Sequence, residues 1–162
     1  MREKSIELLN KAVADELAAV HQYMYWHFHL EDQGYAQLSA LFERTGIQEM
    51  GHVEVLAERI LFLGGDVVMK TAFDTKPIQD VSEMLAMGRK MEEESAMDYN
   101  RWANESAANN DSVTKKIFEQ LVADEEMHFD NFDVELMKIE KFGDRYLALQ
   151  SMPSDQPVEG EA

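Results

Sequence analysis

One spacing occurs twice in this chain of 162 residues. Glu16 is followed 33 positions later by Glu49, and three further on by His52; Glu92 is followed 33 positions later by Glu125, and three further on by His128. Residues three apart on a helix share a face, so each Glu-x-x-His sets a carboxylate beside an imidazole. Of the five histidines, only His52 and His128 follow a glutamate at that offset. Four carboxylates and two imidazoles so placed read as a two-metal site inside a four-helix bundle, a ligand arrangement already known from bundle metalloproteins.

The hydrophobic pattern supplies the four helices. From about Glu3 to about Leu30 an apolar stripe reads Ile6, Leu9, Val13, Glu16, Val20, Tyr23, His27, stepping by three or four. Glu31-Asp32-Gln33-Gly34 is a short polar turn, which makes the next helix an antiparallel neighbour. That second helix runs from about Tyr35 to Leu63 with the stripe Leu38, Phe42, Thr45, Glu49, His52, Leu56, Ile60, Leu63, and Gly64-Gly65 ends it. Asp80, with Glu83 three residues on, starts a third helix that reaches about Ala108, with Val81, Leu85, Gly88, Glu92, Ser95, Tyr99 and Trp102 on its stripe. Glu92, Glu93 and Glu94 are consecutive, and both the stripe and the 33-residue interval select Glu92. After Asn109-Asn110-Asp111, a fourth helix runs from about Ser112 to Lys141 through Phe118, Leu121, Glu125, His128, Phe132, Leu136 and Ile139. Gly143 breaks it. Asp144 to about Ser151 predicts a short fifth helix with Tyr146, Leu147 and Leu149 as apolar contacts. We expect one domain over residues 1–152 and a flexible acidic tail over 153–162, where Pro, Ser, Asp and Glu predominate.

Residues 64–80 carry no helical period and include Pro77. A helix spanning Glu3–Leu30 is about 42 Å long, and an extended segment of this connection's length covers up to about 56 Å. The connection can therefore travel the whole bundle and start the third helix from the far end. Connections inside compact domains are usually shorter, so its length is itself evidence for one long crossover.

Composition narrows the chemistry. A net charge of −17 argues against sequence-independent nucleic-acid binding, which needs a positive face, and suits attraction of small cations. With no cysteine there are no disulfides, iron–sulfur clusters or thiolate zinc sites. No apolar run is long enough to cross a membrane, and Met1-Arg2-Glu3-Lys4-Ser5 begins no apolar signal core, so the expected location is cytoplasmic. A single glutamate on a helix stripe normally reaches water at its edge, and a single Glu-x-x-His is a weak motif. Here four glutamates interrupt four core stripes, and no Lys or Arg occupies a matching position. Burying four unpaired carboxylates costs several kcal/mol each, whereas two divalent cations balance their four charges. Oxygen and imidazole donors without sulfur suit iron, manganese or zinc.

Three stretches make a family resemblance specific: Asp15-Glu16-Leu17-Ala18-Ala19-Val20-His21-Gln22-Tyr23; Glu49-Met50-Gly51-His52 with Glu58-Arg59-Ile60-Leu61-Phe62-Leu63; and Asp124-Glu125-Glu126-Met127-His128. Over nearly its whole length, up to about Met152, the sequence resembles bacterioferritins, and Lys141-Phe142-Gly143-Asp144-Arg145-Tyr146-Leu147 resembles the approach to their fifth helix. The resemblance implies an all-α, ferritin-like four-helix bundle with one long crossover and a short fifth C-terminal helix. It implies two iron ions per subunit held by Glu16, Glu49, His52, Glu92, Glu125 and His128, with Glu49 and Glu125 bridging. It implies a ferroxidase that oxidises Fe(II) with O2 or H2O2 and stores ferric mineral in a hollow homo-oligomeric shell of 24 subunits built from two-fold dimers. By the same resemblance, Met50 from each subunit of a dimer is an axial ligand of haem b, and a ferredoxin-type reductant serves iron release. No membrane or nucleic-acid partner is expected.

This chain also departs from the family pattern. Arg44 and Gln48 stand where family members often carry a His and an Asp on the inner shell surface, and Leu56 and Asn131 replace two aromatics near the centre. Tyr23 is kept, seven residues after Glu16; one-electron donor and hydrogen-bonded core residue are both open to it. His21, His27 and His29 have no carboxylate at metal spacing and read as surface or interface residues. Three other functions share parts of the pattern: a non-storing di-metal oxidase or manganese catalase, a haem-binding electron-transfer module using Met50, and a DNA-protecting mini-ferritin, whose metal site is shared between subunits.

Overall fold

The computed structural model describes residues 2–153, so the expected tail lies outside the described residues apart from Pro153. Five helices follow in order: α1 (Arg2–Asp32), α2 (Ala36–Phe62), α3 (Val81–Ala108), α4 (Ser112–Phe142) and α5 (Asp144–Gln150). Each starts and stops within about two residues of the sequence-based boundaries. None of them is long and apolar enough to cross a membrane.

The helices pair as two hairpins. α1 packs chiefly on α2 and α3 on α4, while α1 also meets α3 and α2 meets α4. Gly34 closes the first hairpin with φ +87°, a conformation that costs glycine nothing. In the second, Asn110 takes φ 58° and Asp111 caps α4. Asp80 caps α3 by accepting from the Glu83 amide at 2.9 Å.

The connection from α2 to α3 does run the length of the bundle, and its hydrogen bonds show the path. Asn10 Nδ2 donates to the Asp66 carbonyl at 3.0 Å, and the Val68 amide donates to Asn10 Oδ1 at 2.9 Å. Next, the Ala72 amide donates to the Ala14 carbonyl at 2.9 Å. Gln22, fully buried, donates to the Lys76 carbonyl at 3.1 Å and accepts from the Lys76 amide at 2.8 Å. Trp26 Nε1 then donates to the Ile78 carbonyl, and Gln33 Nε2 to the Gln79 carbonyl. Partners rise from 10 on α1 to 33 in the turn just past it as those on the strap rise from 66 to 79, so the strap lies alongside α1 in the same direction. At its start, Gly65 sits so close to Ile6 that a Cβ there would meet it at 2.8 Å.

Two apolar clusters fill the bundle. One gathers Leu9, Val13, Leu56, Ile60, Tyr99, Trp102 and Phe118; the other gathers Tyr23, Trp26, Leu30, Phe42, Leu85 and Phe132. Phe42 and Phe132 stack at 5.0 Å between centroids, and both press on Gly88, where a Cβ would approach Phe132 to 3.2 Å. A mid-helix glycine costs about 1 kcal/mol relative to alanine, and the ring stack explains its presence. The expected stripe on α2 is buried throughout. On α1 the core face runs through Ser5, Leu9, Ala12, Glu16, Ala19, Tyr23, Trp26 and Leu30, so Ile6, Val20 and His27 are flanking positions. Steps of three and four fit several adjacent tracks, and the small residues Ala12 and Ala19 mark the true contact line. On α3 the buried residue is Ala96, with Ser95 beside it only half-buried. α5 buries Tyr146, whose hydroxyl donates to Glu135, while Leu149 points outward.

Half-buried Asp111 ties three elements together. It accepts from Ser5 Oγ at 2.7 Å, Arg59 Nη2 at 2.7 Å, and the Thr114 amide and hydroxyl at 3.1 and 2.6 Å. Burial alone would raise its pKa, but the hydrogen bonds from the Thr114 hydroxyl and Ser5, and then from the Thr114 amide and Arg59, lower it to about 2. A depressed carboxyl stabilises the fold above its unfolded pKa and loses that effect as pH falls through the folded one. Asp111→Ala should therefore cost about 1–2 kcal/mol at pH 7. The melting-temperature gap between wild type and Asp111→Asn should narrow as pH falls from about 4 toward 2, followed by circular dichroism.

Candidate metal centre

Between the two apolar clusters lies a polar layer. Glu16 on α1, Glu49 and His52 on α2, Glu92 on α3, and Glu125 and His128 on α4 all point into it, and none is more than 8% exposed. Their ligand atoms form two groups, Glu16–Glu49–His52–Glu125 and Glu49–Glu92–Glu125–His128, with the atoms of each within 4.8 Å of one another. All six residues singled out from the sequence come together. Glu49 and Glu125 belong to both groups, as a carboxylate spanning two ions must.

Both imidazoles aim Nδ1 inward. His52 Nδ1 lies 2.8 Å from Glu49, 3.1 Å from Glu125 and 3.3 Å from Glu16. His128 Nδ1 lies 3.2 Å from Glu49, 3.5 Å from Glu92 and 3.6 Å from Glu125. One N–H cannot serve three carboxylate oxygens, and Glu49 Oε2, Glu92 Oε2 and Glu125 Oε1 are left buried without a hydrogen bond. Orphaned buried acceptors of this kind are costly. A cation within each group would satisfy them, so the donor set fits a pair of divalent ions held by oxygen and imidazole.

Protonation tells the same story. Burial, followed by the neighbouring glutamates, pushes Glu49 and Glu125 well above the usual carboxylate range. For Glu92 burial acts in the same direction, but close contacts with Glu125 and His128, and then the Tyr23 hydroxyl, outweigh it and hold the group low. Burial would lower both histidines, yet contacts led by Glu125 raise His52 far above its ordinary value and His128 to about 9. The cluster on its own thus retains protons that metal ligands must give up.

Around this layer stands a set of supporting groups. The Tyr23 hydroxyl donates to Glu92 and the Tyr99 hydroxyl to Glu16, each reaching from one hairpin to the other. Burial first, and then those glutamates, keep both phenols protonated. His52 Nε2 meets Asp124 Oδ2 at 3.0 Å, and His128 Nε2 meets Gln48 Oε1 at 2.7 Å. From the α1–α3 seam a cleft of about 150 Å³, lined by Asp15, Phe73, Glu94 and Asp98, reaches Tyr23 and Glu92. Burial, Asp98 and Glu16 together raise Asp15 to about 6.

Sequence reasoning did not single out Tyr99, Asp124 or the partner role of Gln48. A signal was present: Tyr99 follows Glu92 by the same seven positions as Tyr23 follows Glu16. Met50 points away from the centre and is 50% exposed. His27 is half-buried, hydrogen-bonded to Ser39, and His29 packs on Tyr25, so neither joins the metal layer; His21 is exposed.

The two tyrosines hold the Glu92 and Glu16 side chains in place, and outer partners of metal ligands typically carry 10–100-fold in metal affinity. Tyr23→Phe and Tyr99→Phe should each weaken Zn(II) binding by about tenfold or more in calorimetry while leaving the helical signal intact.

Comparisons with known proteins agree with this geometry. The family model of the ferritin-like domain matches residues 6–142. A bacterioferritin of Desulfovibrio desulfuricans is 34% identical over 147 residues, covering 91% of this chain and 82% of that protein. One from Brucella melitensis is 34% identical over 154 residues, covering 94% and 96%. The X-ray structure of the Desulfovibrio desulfuricans bacterioferritin, described with its di-iron site in different catalytic states, superposes with a TM-score of 0.92 at 32% identity, over 99% of this chain and 96% of that one. With its fold, its paired Glu-x-x-His helices and its relatives in agreement, this chain belongs to the bacterioferritin family.

Proposed function

We propose that this protein is a ferroxidase and iron store, with Fe(II) as substrate and Glu16, Glu49, His52, Glu92, Glu125 and His128 as its ligands. The observation that carries the reading is the pair of overlapping ligand groups sharing Glu49 and Glu125 within one chain. An intrachain set of this kind disfavours a mini-ferritin, whose site needs two subunits. Bound Fe(II) supplies the electrons that reduce O2 or H2O2.

The protein residues do the rest. Glu49 and Glu125 hold the two ions in one compartment, and Glu16 and Glu92, steadied by Tyr99 and Tyr23, each complete one side. Four carboxylates favour the more highly charged ferric state through charge alone. The apolar clusters on either side keep bulk water from the layer, and the acidic cleft at the α1–α3 seam draws cations toward Glu92.

Storage belongs to the assembled shell, with 24 subunits as the expected size. A haem b between two-fold-related copies fits Met50, which stands half-exposed on α2 one turn from the similarly exposed Ile47 and would hold the group through one thioether sulfur from each copy. Bound there, haem would supply electron-transfer chemistry toward a ferric store, with a ferredoxin-type protein as donor and the cytoplasm as location.

Fe(II) added in steps to metal-free protein in air should give a fast rise in near-ultraviolet absorbance that saturates at two Fe per chain, followed by slower mineral growth. Absence of the fast rise would overturn the ferroxidase reading. A fast rise without later growth, from a dimer in light scattering, would favour a non-storing di-metal oxidase. Glu92→Ala and Glu125→Ala should slow the fast phase by more than about tenfold with assembly unchanged. Met50→Ala should abolish haem uptake in the Soret region and leave the fast phase as in wild type.

A further inference from the structure

The two halves of the centre correspond through a constant offset of 76 positions: Glu16 with Glu92, Tyr23 with Tyr99, Glu49 with Glu125, and His52 with His128. One further pair keeps the offset but not the residue type, Gln48 with Asp124. Each of these two immediately precedes a shared glutamate, and each crosses to the outer nitrogen of the histidine on the other hairpin. The geometry matches on the two sides, and the charge does not. Asp124 presents a carboxylate to His52, and its second oxygen accepts from Gln120 Nε2 at 3.1 Å. Gln48 presents a neutral carboxamide to His128.

An imidazole that binds a cation through Nδ1 becomes more positive, and its Nε2–H becomes more acidic. A carboxylate at Nε2 offsets that charge and makes the ring a stronger donor; a carboxamide offers only a dipole. Gln48 serves at all only with its oxygen turned to the ring, whereas either oxygen of Asp124 can accept. Resting on the two-metal reading above, we infer that Gln48 and Asp124 are positioning residues that make the two cation positions unequal. The position bounded by Glu16, Glu49, His52 and Glu125 fills first and holds its divalent ion more tightly. The position bounded by Glu49, Glu92, Glu125 and His128 fills second and exchanges its ion more readily.

The test is an anaerobic titration of metal-free, full-length assembled protein with Co(II), read by the visible absorption that histidine–carboxylate coordination produces, with a chelator competing. Wild type should take up one Co(II) per chain in each of two steps separated by about tenfold or more. Exchanging one partner at a time shifts one step at a time: Gln48→Asp should tighten the weaker step by about tenfold, and Asp124→Asn should loosen the tighter step by about as much. The double variant, with the partners exchanged, should recover two separated steps, which simple structural damage would not do. Equal movement of both steps in Gln48→Asp, or no movement, would overturn the inference. Failure of wild type to bind two Co(II) per chain would instead strike the two-metal reading itself, so the two failures are distinguishable.

Discussion

Glu49 and Glu125 each have a carboxylate oxygen within 4.8 Å of both Glu16 and Glu92 in a buried layer of this protein, and most of the structure answers to that repulsion. Left alone, the layer is held by protons on the imidazoles and on Glu49 and Glu125, and by hydroxyls from Tyr23 and Tyr99. Three carboxylate oxygens remain without a hydrogen bond. A fold tolerates such a layer only if neighbouring interactions over-determine it. Here the apolar clusters above and below lock the four helices in register, and Gly88 lets Phe42 and Phe132 close directly beneath the polar layer.

The long strap contributes to the same register. A crossover tied only at its ends would let the second hairpin slide along the first. This one is tied to α1 from Asn10 to Trp26 and to the turn after it at Gln33, and its hydrogen-bonding residues are spread along the bundle. Sliding by one turn, about 5.4 Å, would part Glu16 from Glu125 and Glu49 from His128. Hydrogen bonds on the outside of the bundle therefore share in the alignment of groups at its centre.

Much of this was legible in the sequence because polar residues in an apolar stripe are conspicuous. Glu16, Glu49, His52, Glu92, Glu125 and His128 stood out for that reason, and the structure gathers them. The cap at Asp80 and the length of the 64–80 connection were equally readable, since capping chemistry is local and chain reach is arithmetic. Less visible was anything that depends on who faces whom across the bundle. Tyr99 reads as one more core aromatic until Glu16 is found beneath its hydroxyl. Gln48 registered only as a departure from family, because a periodic pattern assigns a face and not a partner. The contact line of α1 was displaced for a related reason: periodicity favours large side chains, while close helix packing runs over Ala12 and Ala19.

The correspondence between the two hairpins carries a further consequence. Each hairpin holds half of everything the centre uses, and two copies of a single hairpin would build a centre of strict two-fold symmetry. In such an assembly any change on one side is copied to the other. The strap removes that constraint by placing both halves in one chain, where each residue is encoded separately. Gln48 opposite Asp124 is a difference that two copies of one hairpin could not sustain.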